Sequence, residues 1–384
     1  MRRNEKIPRR FINHLSEYSD LAYTLQYLNL KKPNKLKFLT MNIVINTAKL
    51  IIIADQSIKS EFTDRLMRKC KSRFKSGLQL FAIASLTFFV SCKSGPKEPD
   101  ETPTRGNIRI IADESYQPVI DAEISIFTTL YANAKVKATY KPEIDVINDF
   151  MNDSAKVIVT SRKLTEDQIQ YLRDTLIIAR TTTFAYDALA LITNRENRDT
   201  ILRYKTIKDI FLGQISTWKE INPKSRLGEI KVVFDNTKSG NIRYFKELFE
   251  IKTGLPYNFY ALNSNKEVVD FVSRNPEAIG IISVNWISDK DDMNSRELLS
   301  KINRVGVSQP LSDDGSYYRP DQGFIYTKDY PFTREVYLIS RETFKGLGSG
   351  FIQWATAQQG QTIVLKSGLV PATMPIRLVQ MKTE

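Results

Sequence analysis

The sequence predicts an α/β fold with mixed, mostly parallel sheets flanked by helices, in a chain long enough for two domains. From residue 107 onward, short apolar segments typical of buried strands alternate with amphipathic helical segments. The chain has 384 residues, which is enough for two domains that each bury a core. Hydrophobic residues make up 42% and charged residues 26%, the balance of an ordinary globular protein.

The predicted strands are short apolar or alternating runs, and they cover Asn107–Ala112, Lys135–Tyr140, Lys156–Thr160, Asp187–Thr193, Glu229–Phe234 and Ala278–Val284. The predicted helices show capping residues or apolar residues at helical spacing, and they lie after Pro118, over Ile144–Met151, after Thr165, after Ser239, after Ser264 and over Gly350–Lys366. Capping boxes are predicted for Thr165 with Gln168 and for Ser264 with Glu267. Regular alternation of strand and helix favours a parallel sheet.

A short apolar segment precedes this region. Leu78–Val90 contains thirteen mostly apolar residues and follows a basic run from Arg68 to Lys75. A transmembrane helix needs about 20 apolar residues, whereas a secretory signal combines a basic flank with an apolar core of roughly 7–15 residues. The segment therefore predicts a signal peptide over residues 67–91. The alternative is a core helix or a signal anchor.

The end of this segment, Phe89-Val90-Ser91-Cys92, resembles the lipobox of bacterial lipoproteins. The resemblance implies that Cys92 is lipidated and becomes the first residue of the mature chain. The protein is then an exported bacterial lipoprotein on the periplasmic face of a membrane or at the cell surface. Residues 92–105 contain the lipidated cysteine and a tether rich in proline and charge.

Residues 1–66 would give the signal an unusually long leader. Met67 stands immediately before the basic run, so a chain that started there would begin with an ordinary signal peptide. We therefore predict that residues 1–66 are a mis-called start. The alternative is a cytoplasmic extension.

Charge and residue usage exclude several functions for the body. Residues 1–91 contain 17 of the 56 Lys and Arg residues but only 6 of the 43 Asp and Glu residues, so the body is almost neutral and gives no electrostatic case for nucleic acid. The single histidine is His14, and the cysteines are Cys70 and Cys92. A Ser-His-Asp triad, a Cys-His pair, a histidine zinc site and an internal disulfide are thereby excluded from the body. No metal or cofactor is therefore expected, and carboxylate chemistry is the remaining enzymatic option.

Four segments between Asn107 and Val379 resemble segments of one known family, and they are Ala185–Leu191, Ile210–Ile215 with Trp218, Tyr330–Arg334 with Val336 and Tyr337, and Gln359–Gln361 with Ile363, Val364, Gly368, Val370 and Pro371. The family is that of the phosphate-binding proteins of ABC importers. The resemblance implies a periplasmic-binding-protein-like (type II) fold, in which two α/β lobes hold a ligand in the cleft between them. Lobe 1 is predicted as residues 106–183 plus 320–384, and lobe 2 as residues 184–319. Hinge motion is expected at crossovers near residues 181–187 and 308–324.

The same resemblance implies the function. The chain would be a monomeric, non-catalytic receptor that binds inorganic phosphate and delivers it to an ABC permease, held at the membrane by its lipid anchor. In open α/β sheets, ligands bind beyond the carboxyl ends of strands, where helix N-termini offer unpaired N–H groups to anions. Three turns between a strand and a helix are therefore the candidate site.

In the first turn, the candidate ligand-binding residues are Glu114, Ser115 and Tyr116. The Ser115 hydroxyl and nearby N–H groups are expected to contact phosphate oxygens, and a plain helix cap is the alternative. Glu114 repels a phosphate unless it accepts a hydrogen bond from a protonated oxygen.

In the second turn, Ser161 and Arg162 resemble the family's "SRxL" segment. Arg162 is a candidate for bidentate binding of an oxyanion, and a surface arginine is the alternative.

In the third turn, Ser239-Gly240-Asn241 resembles the family's "SGT" turn at a helix start, and capping of the helix is the alternative. Asn241 replaces the family's Thr, and Asp235 stands where many members carry a phosphate-pairing Arg. Lys238 or Arg162 is the candidate source of the missing positive charge.

Three other functions stay open. Glu114 and Asp235 favour a clamp for a different oxyanion or a small polar solute. A surface lipoprotein enzyme would use carboxylates such as Asp113, Glu114 or Asp235. A structural or signalling lipoprotein would bind no solute.

Overall fold

The structure, a computed structural model, describes residues 101–312 and 315–375. The signal segment, Cys92 and residues 1–66 lie outside the described residues, so the assignments made for them stay predictions. No helix in the described ranges is both long and apolar enough to span a lipid bilayer.

Twelve strands occur in the described ranges: β1 (Gly106–Asp113), β2 (Ala134–Lys141), β3 (Val157–Thr160), β4 (Arg180–Asn194), β5 (Ile201–Leu202), β6 (Lys231–Phe234), β7 (Phe259–Ala261), β8 (Ala278–Ser283), β9 (Ile302–Arg304), β10 (Gly306–Val307), β11 (Thr333–Ser340) and β12 (Val370–Pro371). The α-helices there are α1 (Gln117–Leu130), α2 (Glu143–Met151), α3 (Glu166–Asp174), α4 (Tyr204–Phe211), α5 (Trp218–Ile221), α6 (Gly240–Leu248), α7 (Asn265–Arg274), α8 (Met293–Ser300), α9 (Gln322–Tyr326), α10 (Leu347–Ala355) and α11 (Gln358–Lys366). Single 3₁₀ turns cover Glu114–Tyr116 and Val284–Trp286.

Ten of the described strands form one mixed sheet, and its main path runs in the order β2-β1-β3-β11-β4-β8-β6-β7. Strands β9 and β12 each pair with β4, and β5 pairs with β10 in a separate two-stranded sheet. On one side, β1 is parallel to both β2 and β3. On the other side, β6 is parallel to both β7 and β8. Strand β11 lies between β3 and β4 and is antiparallel to both. The predicted α/β class with a mixed sheet is confirmed, although the described strand pairs are as often antiparallel as parallel.

Strand β4 belongs to both sides of the sheet. Its first part, Arg180–Ala188, pairs with β11, and Leu189–Thr193 pairs with β8. The sequence predicted this strand only over Asp187–Thr193. Its first half contains the polar run Thr181–Thr183, which does not look like a buried strand, although it pairs with β11 in the structure. The two halves of the sheet therefore meet within one continuous strand, between Ala188 and Leu189.

Aromatic packing fixes α6, the helix that follows the third candidate turn. Phe245 of α6 stacks on Phe211 with ring centroids 4.7 Å apart and meets Phe332 edge-on at 4.9 Å. Such pairs stabilise a protein by about 1 kcal/mol beyond their burial. Ile242 and Phe245 are buried as the spacing predicts, but Leu248 is 37% exposed. Phe245 therefore anchors α6 against α4 and against the residue that precedes β11.

The prediction of one continuous helix over Gly350–Lys366 is wrong. The structure contains two helices, α10 and α11, with a break at Thr356 and Ala357. The two helices pack so closely that a β-carbon on Gly360 would lie 2.5 Å from backbone atoms of Ala355. Gly360 permits a sharp corner that helical periodicity does not reveal.

Two further expectations differ in detail. Residues 101–105, predicted as the end of the tether, form an antiparallel bridge between Thr102 and Arg105 and contact the body, because Leu347 donates its N–H to Glu101 Oε1 at 3.3 Å. The capping box at Thr165 is present. At Ser264 only the serine half forms, because the Glu267 carboxylate accepts from Asn263 instead.

A buried glutamate limits stability. Both carboxylate oxygens of Glu123 are buried without a hydrogen-bond partner among the described residues, and burial raises its pKa to about 9. Because the folded pKa exceeds the unfolded value near 4.5, the contribution to stability is complete below pH 4.5 and is lost as pH rises toward 9. We expect Glu123→Met to gain about 2 kcal/mol in free energy of unfolding at pH 8 relative to its effect at pH 5. Urea titrations at both pH values measure this.

The matched control is Glu196→Met, at an exposed glutamate in a loop. Its effect on the free energy of unfolding is expected to be the same at both pH values. An equal effect of Glu123→Met at pH 5 and pH 8 would contradict a protonated Glu123.

Candidate functional site

The first predicted turn follows β1 and reaches across to the other half of the sheet. The Asp113 carboxylate accepts the Ser115 N–H at 3.0 Å, which fixes the turn. The Ser115 hydroxyl donates to Asn241 Oδ1 at 3.1 Å, and Ser115 O accepts from Asn285 Nδ2 at 3.1 Å. The Glu114 carboxylate accepts hydrogen bonds from the backbone N–H and the side-chain amide of Asn265, at the start of α7. This turn therefore binds three segments of the second half of the sheet.

The second predicted turn follows β3 and is organised by a glutamate of α2. Glu143 is buried, and its Oε1 accepts from the Ser161 N–H at 2.9 Å and from the Ser161 hydroxyl at 2.6 Å. Arg243 of α6 donates to Ser161 Oγ at 2.9 Å, and its Nε donates to Glu143. An arginine of one half of the sheet is thus bound to a serine and a glutamate of the other.

The third predicted turn forms the start of α6. Ser239 is the N-cap, and its hydroxyl accepts the Ile242 N–H at 3.4 Å. Ser239, Gly240 and Asn241 are all buried. The first N–H groups of a helix have no partner within the helix, so this buried end presents hydrogen-bond donors and the positive end of the helix dipole.

The three turns meet at Gly240. A β-carbon on Gly240 would lie 2.7 Å from Ser161 Oγ, 2.8 Å from Asp113 Oδ2 and 3.0 Å from Glu143 Oε1. Any larger residue would push the turns apart, so glycine is required for this approach. Strand ends and a helix start from both sides of the sheet therefore converge on one small volume.

Two of the predicted site residues lie at the edge of this convergence. Arg162 donates through Nη1 to Lys163 O at 3.1 Å and to Gln168 Oε1 at 3.3 Å, so its guanidinium contacts its own loop and the first turn of α3. Lys238 forms an ion pair with Asp145 at 3.0 Å, and its side chain is 54% exposed. Among the described residues, neither side chain is hydrogen-bonded to Ser115, Ser161 or Ser239.

Sequence reasoning missed the arginine that lies at the centre. Arg334 of β11 is 6% exposed, and its Nε donates to Asp187 Oδ2 at 2.9 Å. Nη2 lies 2.9 Å from the same oxygen without hydrogen-bond geometry, and neither Nη1 nor Nη2 has a hydrogen-bond partner among the described residues. The guanidinium lies 5.3 Å from the ring centroid of Tyr116, a predicted site residue that is fully buried. Arg334 therefore retains free donors in a buried site.

Features of the sequence could have identified both Arg334 and Glu143 as site residues. Arg334 belongs to the Tyr330–Arg334 segment, which was used for the fold but not for the site. Glu143 follows Pro142 at the end of β2, in a fourth turn between strand and helix that the three candidate turns did not include. Arg243 stands three residues into α6, where only tertiary packing determines its direction.

The electrostatics of the site depend on its carboxyl groups. Burial, together with the charge of Glu143 and opposed by Arg334, raises the pKa of Asp113 to about 7. Burial raises the pKa of Glu114 to about 8 against the hydrogen bonds from Asn265, and raises that of Asp235 to about 6 against Ser239 and Arg334. Burial alone would also raise the pKa of Glu143, but Arg243 holds it below its usual value.

These shifts determine the charge of the site near neutral pH. Glu114 is largely protonated there and Asp113 about half protonated, so both add less negative charge near Arg334 than ionised carboxylates would. Asp113 Oδ2 and Asp235 Oδ1 are buried and have no hydrogen-bond partner among the described residues. A protonated carboxyl group is a hydrogen-bond donor, so the site can donate to an anion. In the described part of the chain, no group of three His, Cys, Asp or Glu side chains is placed to hold a metal ion.

The convergence can be compared with known proteins. The model of the PBP superfamily domain matches residues 97–359. The phosphate-binding protein PstS of Borreliella burgdorferi is 25% identical over 304 residues, which cover 77% of this chain and 98% of the relative. A PstS of Staphylococcus epidermidis is 27% identical over 174 residues, which cover 44% of this chain and 52% of the relative.

Solved structures agree on the fold. A candidate phosphate ABC transporter substrate-binding protein of Clostridium perfringens, with bound phosphate, has a TM-score of 0.59 and 25% sequence identity, and the match covers 70% of this chain and all of that chain. An ABC-type phosphate transport receptor of Vibrio cholerae has a TM-score of 0.53 at 21% identity, with the same coverage. These relatives are named as binding proteins or receptors and not as enzymes, in agreement with the predicted class.

The two-lobe, type II fold and the family resemblance predicted from the sequence are therefore confirmed, and this chain belongs to the PBP superfamily.

Proposed function

We propose that this chain binds inorganic phosphate between its two lobes, residues 106–183 with 320–384 and residues 184–319. The convergence of three turns on Gly240 carries the proposal, because it brings the donors of both lobes to one point. The names of the relatives supply the ligand, since PstS proteins along most of this length are phosphate-binding proteins.

The donors suit a tetrahedral oxyanion. The hydroxyls of Ser115, Ser161 and Ser239 and the first N–H groups of α6 offer short hydrogen bonds without a full charge. Asp235 stands where many family members carry a phosphate-pairing Arg, and Arg334 supplies the positive charge instead. Its free Nη donors can bind two oxygens of the anion at once. Asn241 takes the place of the family's Thr as a polar donor. Glu114 is bound to Asn265 and closes the site instead of contacting phosphate.

Arg243 is proposed to hold the lobes together. Its bonds to Glu143 and Ser161 join α6 to the second turn, and the exposed pair of Lys238 with Asp145 lies beside them. Opening of the cleft breaks the Arg243 contacts and lets phosphate reach Ser161.

The cellular role follows the relatives. We propose that the protein is a monomer that delivers phosphate to an ABC permease from the periplasmic face of a membrane or the cell surface, where a lipid on Cys92 anchors it. Intact mass of the native protein tests the anchor, because cleavage of the signal peptide makes Cys92 the first residue and lipidation adds a lipid mass to it. A native chain that retains residues 1–91 would contradict it. Genes for a permease and an ATPase beside this one would support the partner.

Calorimetric titration of the purified chain with phosphate, arsenate and sulfate tests the ligand. Saturable 1:1 binding of phosphate is the expected result. A preference for sulfate would favour the second candidate, a clamp for another oxyanion, which the carboxyl groups of Glu114 and Asp235 suggest. Heat from none of the three anions would contradict the proposal.

Substitution of one capping serine tests the location of the site. We expect Ser239→Ala to weaken phosphate binding about tenfold or more, because a hydrogen bond to a charged group contributes about 1.5–3 kcal/mol. Thr165→Ala is the matched control, because it also removes an N-cap but lies on α3. Arg162→Ala is expected to leave the affinity within about twofold, since Arg162 contacts its own loop. Equal losses for Ser239→Ala and Thr165→Ala would mean that the site lies elsewhere.

A further inference from the structure

A second cavity opens beside the phosphate site, and its chemistry is opposite to that of an anion site. It has a volume of about 610 Å³, which is the size of a pocket for a small organic molecule. The start of α1, the start of α7, the turn Val284–Trp286 and the loop and first turns of α8 form its walls. It shares Glu114 with the proposed phosphate site, so the two are neighbours. Ser115, Ser161 and Ser239 do not line it, so it is a separate cavity.

The charge of this cavity is negative. Asp121, Asp289, Asp292 and Glu297 line it with a single basic residue, Lys266. Glu114 also lines it but adds little charge near neutral pH, because burial raises its pKa to about 8. Asp289 uses Oδ1 for the N–H groups of its own loop, and Asp292 uses Oδ2 to cap α8. The second oxygen of each has no hydrogen-bond partner among the described residues. Both are therefore available to a cation.

Buried polar atoms without partners are a second, independent observation. Asn285 and Ser295 both line the cavity and are 1% and 3% exposed. Asn285 Nδ2 donates to Ser115 O, which leaves Oδ1 as an acceptor, and this Oδ1, the Ser295 hydroxyl and Trp286 Nε1 all lack partners in the described part of the chain. An unsatisfied buried polar group costs about 1–3 kcal/mol, so three around one cavity indicate a ligand that satisfies them.

We propose that this cavity binds a small organic cation, an amine that also carries a hydrogen-bond acceptor. Asp289 and Asp292 pair with the ammonium group, and Asn285 Oδ1 accepts one of its N–H groups. Trp286 Nε1 donates to the acceptor of the ligand, and the indole face favours a cation. An inorganic anion is excluded from this cavity by the carboxylates that surround it.

The cavity also lies where the two lobes meet. Asn285 binds the first turn through Ser115, and Glu114 binds the start of α7. A cation bound there contacts α1 of one lobe and α8 of the other, so it stabilises the same approach of the lobes that phosphate requires. Binding of the two ligands is thus expected to be mutually favourable, and by linkage each raises the affinity of the other by the same factor.

The test is calorimetric titration of the full-length chain with ethanolamine, choline and spermidine at physiological salt, without phosphate. Saturable 1:1 binding of at least one amine is expected. Asp289→Asn and Asp292→Asn should each weaken it about tenfold, and asparagine can still cap α8. Asp291→Asn, at an exposed neighbour that does not line the cavity, is the matched control and should leave the affinity unchanged.

Thermal unfolding of each variant confirms that the fold is intact. Absence of saturable heat with all three amines overturns the proposal, and so does an equal loss in Asp291→Asn, which would mark unspecific attraction by the acidic surface. Because no phosphate is present, failure here is separate from failure of phosphate binding.

Discussion

Arg334→Gln is expected to raise the dissociation constant for phosphate about 100-fold or more, because it removes the buried charge with free donors at the centre of the site. Truncation of a buried charge in a hydrogen-bonded pair costs about 2–5 kcal/mol in binding. It also leaves Asp187 without its cation, which destabilises the fold by about 3 kcal/mol. A single variant would thus confuse loss of binding with loss of stability.

A double variant separates the two effects. Asp187→Asn combined with Arg334→Gln removes both charges, so the stability is expected to recover while phosphate binding stays lost. Asp187→Asn alone leaves Arg334 less neutralised and should retain phosphate binding or strengthen it. Calorimetry with phosphate and urea unfolding give the two measurements. Recovery of binding in the double variant would show that Arg334 acts only through its pair with Asp187.

Arg341→Met supplies a matched control just beyond the same strand. Arg341 follows the other end of β11, is 8% exposed and donates to Phe150 O. Seven residues of extended chain place it about 23 Å from Arg334. Its replacement is expected to reduce stability while the dissociation constant for phosphate stays unchanged.

The sequence predicts the fold well where one pattern decides it. Buried strands such as β3 and β8 are continuous apolar runs, and the capping residues Thr165 and Ser239 mark helix starts within one residue. Sequence patterns do not predict the structure where tertiary contacts determine it. The first half of β4 is polar, and the corner between α10 and α11 depends on one close approach at Gly360.

The candidate site divides in the same way. Ser115, Ser161, Ser239 and Asn241 follow strand ends or begin a helix, so topology alone brings them together. Charged side chains are longer, and their direction depends on partners distant in sequence. Arg162 extends toward Gln168, whereas Arg334 reaches the site from β11 through its pairing register with Asp187. The turns themselves therefore point to Arg162 and Lys238, whereas the pairing of β11 with β4 brings Arg334 to the site that we propose.

The affinity for phosphate is expected to fall about tenfold or more between pH 6 and pH 8.5. Over this range Asp113, Glu114 and Asp235 lose protons, because burial has raised their pKa values to about 7, 8 and 6. Each proton lost adds negative charge near the bound anion, and at Asp113 and Asp235 it also removes a donor. Phosphate itself becomes more negative with pH, which would strengthen binding at a purely cationic site. The direction of the change therefore distinguishes the two kinds of site.

The free energy of unfolding is expected to change with pH in the same direction as the affinity for phosphate. The folded pKa values of these three groups lie above their unfolded values, so their contribution is complete at low pH and is lost as pH rises through about 6 to 8. In Asp113→Asn with Asp235→Asn, two of the three groups no longer titrate, and asparagine retains an acceptor for the Ser115 N–H. We expect both the affinity and the free energy of unfolding of this double variant to change much less between pH 6 and pH 8.5. An affinity that rises with pH in the unmodified protein would mean that these carboxyl groups are already ionised and that the arginines alone neutralise the anion.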